Sequence, residues 1–272
     1  MIPAAFEYVR ADSTEHAIQL LGEHGDEAKL MAGGHSLLPM MKLRLAVPGV
    51  IVDIDRLDDL RYVRDGGDHV AIGALTRHRA LEVDPVLAEH CPILAHVAHM
   101  VGDPQVRHRG TIGGSLAHSD PASDLPGTVL GLGGTLVAQG PDGTREIAAG
   151  DFFAGYFESA LAADEMLTEV RVPKSGSFNY QKFNRRAQDW AIVGVAAAQV
   201  NGGVQVGLVH MGSTPLRATA VEEALAGGAS AAEAAEHAAD GTEPPSDLNA
   251  SPEYRSHLAR VLTRRALEAA GV

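Results

Sequence analysis

The chain has a single cysteine, Cys91, among its 272 residues. No disulfide can form within it, and neither a four-cysteine zinc site nor a cysteine-ligated iron–sulfur cluster can be built from it. Aromatic residues are scarce at 4%, with one tryptophan. Positive charge is also short: 22 Lys and Arg stand against 35 Asp and Glu, a net charge of −13. A phosphate backbone rewards a basic face, so this balance argues against a nucleic-acid partner, although Arg107-His108-Arg109 can still meet one small anion. There is no apolar run of membrane-spanning length and no basic-then-apolar leader, so no transmembrane segment is expected and the chain reads as cytoplasmic. Two nucleotide-binding words are missing. Gly131-Leu132-Gly133-Gly134 lacks the third glycine of the dinucleotide fingerprint, and no Gly-x₄-Gly-Lys-[Ser/Thr] occurs, which disfavours Rossmann and P-loop sites. What remains is an ordinary 45% hydrophobic content, enough for one large domain or two to three smaller ones with their own cores.

Two glycine-rich stretches stand out. Gly110-Thr111-Ile112-Gly113-Gly114-Ser115 sets a Gly-Gly pair between two hydroxyl residues, followed by Leu116-Ala117-His118-Ser119-Asp120-Pro121-Ala122-Ser123-Asp124. Some eighty residues earlier, Ala32-Gly33-Gly34-His35-Ser36 repeats the chemistry. Paired glycines let backbone N–H groups converge on an anion, because no Cβ blocks the approach. Taken singly, each pair is also compatible with a simple turn. Together they read as two jaws of one diphosphate clamp.

The rest of the chain alternates helix and strand patterns. Asp12 and Glu15 form a candidate capping box before Ala17, Ile18, Leu20 and Leu21. Lys29–Ala32 reads as a buried strand running into Gly33, Ser36 as the cap of a short helix, and Val50–Ile54 as the next strand. His69–Ala74 is a strand, Thr76 caps a helix through Glu82, and Pro92–Val101 and Pro126–Leu132 are helices. Leu136–Ala138 and Met166–Val172 are strands flanking the turn Pro141-Asp142-Gly143, with Gly176-Ser177 as a linker. Strands over Phe178–Phe183, Ala191–Val200 and Val204–His210 follow, the last two joined by the hairpin turn Asn201-Gly202-Gly203. Helices over Ala218–Ala226, Ala231–Ala239 and Ser251–Ala270 close the chain. His90, Cys91, His96, His99 and His108 crowd one region without a carboxylate at zinc-enzyme spacing, so no metal site is expected.

Three words, Ala32-Gly-Gly-His-Ser-Leu-Leu-Pro, Gly102-Asp-Pro-Gln-Val-Arg-His-Arg-Gly-Thr-Ile-Gly-Gly and Leu116-Ala-His-Ser-Asp-Pro-Ala-Ser-Asp-Leu-Pro, resemble the FAD-binding (medium) subunit of molybdenum hydroxylases, the carbon monoxide dehydrogenase and xanthine dehydrogenase family. The resemblance covers nearly the whole chain. It implies an α+β, PCMH-type FAD-binding fold: two α/β lobes, residues 1–55 and 56–175, then a C-terminal flavoprotein domain, residues 176–272, of three antiparallel strands plus helices. It also implies non-covalent FAD. The diphosphate contacts fall on Ala32, Gly33, Gly34, His35 and Ser36 and on Thr111, Ile112, Gly113, Gly114 and Ser115, through backbone amides and hydroxyls. Ser115 departs from the family word, which usually has Asn there. Asp124 is placed to accept from a hydroxyl of the flavin nucleotide, or else is simply a carboxylate at a helix start. Val101 either touches the isoalloxazine ring or belongs to the core. Leu167 matches the family's backbone contact to the flavin. Within Tyr180–Ala191, Lys182 falls near a polar edge of the ring, where a cation favours added electron density, and Trp190 beside its face. Arg185 and Arg186 are either solvated or partner-facing.

The resemblance further implies an oxidoreductase subunit with no catalytic acid or base of its own. Electrons would enter from an iron–sulfur (2Fe–2S) small subunit, beyond which lies a molybdenum-cofactor large subunit, and leave to an external electron acceptor. The complex is expected to be a dimer of heterotrimers. Two alternatives differ in class. A standalone PCMH-type flavin oxidase or reductase usually carries a larger substrate domain than the last hundred residues offer, and a non-catalytic binding protein would hold no flavin.

Overall fold

The computed structural model describes residues 1–272. The first sheet is small and parallel. It is built from β1 (Glu7–Arg10), α1 (Thr14–His24), β2 (Ala28–Met31), α2 (Leu37–Lys42) and β3 (Val50–Asp53), with strand order β1-β3-β2. All of β3 is buried, as a central parallel strand must be when crossover helices cover the sheet. Helix α1 starts one residue later than the Asp12 reading. Ser13 is its cap, accepting from the His16 N–H at 3.1 Å. Ser36 precedes α2 without a side-chain capping bond.

The next region begins with β4 (Val63–Asp65) and β5 (His69–Gly73), followed by α3 (His78–Val83), α4 (Pro85–His90), α5 (Pro92–Met100), α6 (Pro104–Arg109), α7 (Ile112–His118) and α8 (Asp124–Gly131). Then come β6 (Thr135–Gly140), β7 (Gly143–Ala148), the one-turn α9 (Ala149–Phe152), the two-stranded pair β8 (Phe153–Gly155) and β9 (Glu158–Ser159), and β10 (Met166–Pro173). The five-stranded sheet runs β4-β5-β10-β6-β7, antiparallel throughout. Thr76 does not cap α3. Its hydroxyl bridges to Tyr62, donating to the carbonyl at 3.0 Å and accepting the N–H at 3.1 Å.

The C-terminal sheet comprises β11 (Ser175–Phe183), β12 (Val193–Val200), β13 (Gly203–Val209) and a two-residue β14 (Leu216–Arg217) that extends the expected three-strand meander. It is followed by α10 (Thr219–Ala226), α11 (Ala231–Ala235) and α12 (Pro252–Ala269). Gly176 and Ser177 are not a linker but an irregularity inside β11: the register shifts between Ser175, opposite Val200, and Phe178, opposite Ala198. An extra residue in one strand makes such a bulge.

Strand β12 sits between two cores, and its alternation shows it. Val193, Val195 and Ala197 join the core under α11 and α12, while Ala196, Ala198 and Val200 join the core shared with α5 and α8. Buried on both faces, the strand reads as a continuous apolar run. Small residues let α8 lie close on β13: a Cβ on Gly207 would come within 2.1 Å of the Gly127 carbonyl oxygen. A third core under the first sheet takes in Leu75 and Met166 from the second region. The three sheets thus surround one crevice. No helix is long and apolar enough to cross a membrane.

Candidate functional site

That crevice is a cavity of about 660 Å³, within the range of small-molecule and cofactor sites. Of the residues singled out in the sequence, Ala32, Gly33, Gly34, His35, Ser36, Val101, Thr111, Gly113, Gly114, Ser115, Asp124, Leu167, Lys182 and Trp190 line it. Ile112 does not. It is fully buried in the largest core, and its N–H is bonded to the Thr76 carbonyl at 3.1 Å.

The first stretch leaves β2 and turns before α2. Gly34 has φ +74°, the left-handed region where glycine is at home. The N–H groups of Gly33, Gly34, His35 and Ser36 have no protein acceptor. Gly33 lies against the other stretch, where an added Cβ would fall 2.1 Å from the Arg109 carbonyl oxygen and 3.0 Å from Gly110 Cα. The two stretches are therefore adjacent in space, at a spacing that a side chain would prise open.

The second stretch opens α7. Thr111 is its N-cap, its hydroxyl accepting the Gly114 N–H at 3.2 Å. Gly113 donates to the Ala74 carbonyl at 2.8 Å and Ser115 to the Thr111 carbonyl at 3.0 Å. All its amides except that of Thr111 are thus taken up by protein, which leaves the Thr111 N–H and the Ser115 hydroxyl as its free polar groups on the cavity wall. Beneath it His78 lies against Gly110, where a Cβ would meet the imidazole at 2.6 Å. Burial pushes His78 down to about 4, so the ring is neutral at pH 7. Around the outside of the junction, Asp55 gathers Arg77, Arg61 (3.2 Å) and Arg109 (3.2 Å), and Arg77 donates to the Arg109 carbonyl.

On the far wall Asp124, at the start of α8, is buried with Tyr180 and Lys182 of β11. Tyr180 donates to Oδ1 at 2.6 Å, and Lys182 Nζ to Oδ2 at 2.9 Å and to the Met100 carbonyl at 3.2 Å. Burial pushes the Asp124 carboxyl up, against the pull of Lys182 and Tyr180, and drives the Tyr180 hydroxyl well above its ordinary range. The Lys182 charge is thus matched by Asp124. One of its three N–H donors remains for a ligand.

Val101 packs partly on the core and also lines the cavity. Its carbonyl and that of Gly102 accept from the buried Arg107, at 3.2 and 3.4 Å. Leu167 is a buried residue of β10 facing the same space. Trp190 is 64% exposed at the mouth, in the loop between β11 and β12.

Sequence reasoning missed Phe157 and His118, whose rings pack in a tilted arrangement with centroids 4.9 Å apart on the cavity wall, along with Gln188 and Asp189 beside Trp190. Phe157 and Gln188 have φ +58° and +67°, a conformation nothing in their residue types announces. The histidine-rich region is dispersed: His99 pairs with Glu82 at 2.8 Å, His90 with Asp65 at 3.3 Å, and His96 packs on Phe178. No group of three or more metal-ligating side chains gathers anywhere. Burial pushes the Cys91 thiol up to about 11, so it stays protonated.

These residues fit FAD. Open amides suit a diphosphate, one spare lysine donor and a buried tyrosine–aspartate pair suit polar atoms, and apolar walls with an exposed indole suit flat rings. Comparison with known proteins agrees. Residues 4–175 match the family model described as FAD binding domain in molybdopterin dehydrogenase, and residues 178–270 match that of the CO dehydrogenase flavoprotein C-terminal domain. The chain is 39% identical to the carbon monoxide dehydrogenase medium chain of Hydrogenophaga pseudoflava, over 99% of this chain and 98% of that one. It is 36% identical to the glyceraldehyde dehydrogenase medium chain of Sulfolobus acidocaldarius, over 98% and 99%. A solved structure of the Hydrogenophaga pseudoflava carbon monoxide dehydrogenase, lacking the Mo-pyranopterin moiety, superposes with a TM-score of 0.96 at 41% identity, covering 100% of this chain and 99% of that one. The chain therefore belongs to the FAD-binding domain family of the molybdopterin dehydrogenases, as an FAD-binding subunit of the molybdenum hydroxylase type.

Proposed function

We propose that the chain is the electron-transfer flavoprotein of a molybdenum hydroxylase complex. It would take electrons from an iron–sulfur (2Fe–2S) small subunit, itself reduced by a molybdenum-cofactor large subunit, and pass them to an external electron acceptor. The assembly would be a dimer of heterotrimers in the cytoplasm. The single observation carrying this reading is the row of unpartnered amides at Gly33–Ser36, set across a cavity from Asp124, Lys182 and Trp190. When bound, FAD supplies a redox centre that can take and release electrons one or two at a time.

The chain's own residues bind, orient and shield. Gly33, Gly34, His35 and Ser36 would hold the diphosphate through N–H groups, and Thr111 and Ser115 would close it from the facing side. Lys182, held by Asp124 and the Met100 carbonyl, would orient a polar ring edge. Val101 and Leu167 would exclude water from one flank while Trp190 covers the mouth. The reading takes three lobes, residues 1–55, 56–175 and 176–272, each lending one wall.

The substrate is assigned to the partner because relatives of similar identity are named for unlike substrates, carbon monoxide and glyceraldehyde. One cysteine cannot ligate a [2Fe–2S] cluster, so that centre must also come from outside. The purified chain should carry stoichiometric FAD that denaturation releases, accept electrons from artificial donors, and oxidise no aldehyde, purine or carbon monoxide. Reconstitution with both partner subunits should restore substrate-dependent flavin reduction. Turnover of an organic substrate by the chain alone at roughly 1–10³ per second would replace this reading with the standalone oxidase.

A further inference from the structure

Helix α12 carries a charge where none is expected. Arg255 is fully buried, at 0% exposure, among the apolar residues Leu258, Ala259, Leu262 and Ala266 of the same helix. Its Nη2 meets Asp247 Oδ2 at 2.8 Å, its Nη1 donates to the Ile192 carbonyl, and its Nε has no partner. A buried guanidinium with one ion-pair partner and an orphaned donor is a poor way to stabilise a core. The groups it touches point to another use.

Beside it, His210 Nδ1 donates to the Ala191 carbonyl at 2.8 Å and lies 3.1 Å from Arg255 Nη1. His210 has φ +63°, uncommon for a residue with a side chain. That conformation accompanies a backbone N–H donating to the Pro121 carbonyl at 2.8 Å. Ala191 and Ile192 directly follow Trp190, and the Ile192 N–H closes the loop onto the Phe183 carbonyl at 2.7 Å. Pro121 lies in the turn that leads to Ser123 and Asp124, both on the cavity wall. Arg255 and His210 therefore hold the stem of the Trp190 loop, and His210 also holds the Asp124 turn.

We propose that Arg255 and His210 are positioning residues that fix Trp190 relative to Asp124 at the mouth of the ligand cavity. They act through Ala191, Ile192 and Pro121 and touch no ligand. The significance for FAD rests on the proposed function, whereas the clamp itself does not.

Trp190 is the only tryptophan, so its emission and anisotropy report this loop alone. In the FAD-free full chain, His210→Ala and Arg255→Lys should lower Trp190 anisotropy. His210→Asn should restore it, because Asn keeps a donor near the Nδ1 position and tolerates positive φ. With FAD, the two loosening variants should bind up to about tenfold more weakly, the upper end for the loss of one hydrogen bond. Leu262→Ala, in the same core, should lower thermal stability but leave Trp190 anisotropy unchanged. Wild-type anisotropy in His210→Ala, or an equal drop in Leu262→Ala, would overturn the clamp. Should Arg255→Lys fail to fold, the two His210 variants decide. Absence of FAD binding by the wild-type chain would refute the flavin reading while leaving the anisotropy result to stand or fall separately.

Discussion

In the stretch Gly33–Ser36 the peptide N–H groups find no protein acceptor, whereas in Thr111–Ser115 the amides of Ile112, Gly113, Gly114 and Ser115 all do. Both stretches contain Gly-Gly followed by a hydroxyl residue at one or two positions, and both line one cavity. Their glycines serve different ends. Gly33 lets two backbones approach and Gly34 supplies a left-handed turn, so the loop stays open towards a ligand. Gly113 lets α7 lie against Ala74, where a Cβ would meet Ala74 Cβ at 2.6 Å and its carbonyl oxygen at 2.7 Å. The first stretch is a donor surface and the second is the wall it faces. An amide already bonded within the protein has little left to offer an anion, so the clamp is asymmetric.

Exchanging the glycines should separate the two roles most sharply. Gly113→Val drives a branched side chain into Ala74 and should destabilise the fold by about 3 kcal/mol, the upper range for overpacking, read as a lowered urea midpoint. Gly33→Val sits on a half-buried turn that lies outside any helix or strand and can yield, so the fold should lose less. The turn can yield only by leaving Arg109 and Gly110, and FAD affinity should drop roughly a hundredfold, read by flavin fluorescence titration. Equal effects of both variants on stability and affinity would erase the asymmetry.

Much of this was visible in the sequence, and the failures follow a pattern. A continuous apolar run ending at the Asn201-Gly202-Gly203 turn located β12, and helical periodicity located α12, which buries one stripe. Local words located the cavity wall because a glycine pair beside a hydroxyl limits what the backbone can do. Pairings across the chain were not legible: Asp124 and Lys182 are 58 residues apart and Arg255 and Ile192 are 63 apart, so no window shows that the lysine charge is already matched. Ile112 sits in sequence between Thr111 and Gly113, both on the cavity wall, and so reads as one of the same set. Only the Thr76 carbonyl, which takes its N–H, reveals that it belongs to the core. Thr111 three residues before Gly114 was the available clue that the second stretch starts a helix. The capping box of the chain is Ser230 with Glu233, at the start of α11, whereas at α1 Ser13 does the capping alone and the Asp12–Glu15 spacing forms none.

The support beneath the second stretch should respond to acid. The unfolded chain takes up a proton on an ordinary histidine below about pH 6.5. The folded chain protonates the buried His78 only near 4. Between those values the unfolded state binds more protons, so stability falls as pH falls from 6.5 to 4 and levels off below. At pH 5 the loss from this one group is roughly 2 kcal/mol. Urea denaturation at pH 7 and pH 5 should therefore show a smaller acid loss in His78→Gln than in the wild type. An identical loss in both would mean that His78 does not anchor Gly110 in its neutral form.

The smallest effects should come from the two hydroxyls that flank Gly113-Gly114, and they should differ in kind. Thr111 Oγ1 accepts the Gly114 N–H and caps α7. Thr111→Ala removes that cap and should lower stability by about 1 kcal/mol, with FAD affinity following only as the wall loosens. Ser115 has its amide bonded to Thr111 but no protein partner for its hydroxyl, and it lines the cavity. Ser115→Ala should leave the urea midpoint unchanged and weaken FAD by several-fold, the scale of one neutral hydrogen bond. Ser115→Asn, which restores the side chain usual in the resembled family, should keep or improve affinity, because the amide adds a second donor at the same edge. If Ser115→Ala instead lowers stability and leaves affinity intact, then the Ser115 hydroxyl gives the ligand nothing, and of the second stretch only Thr111 is left to meet it.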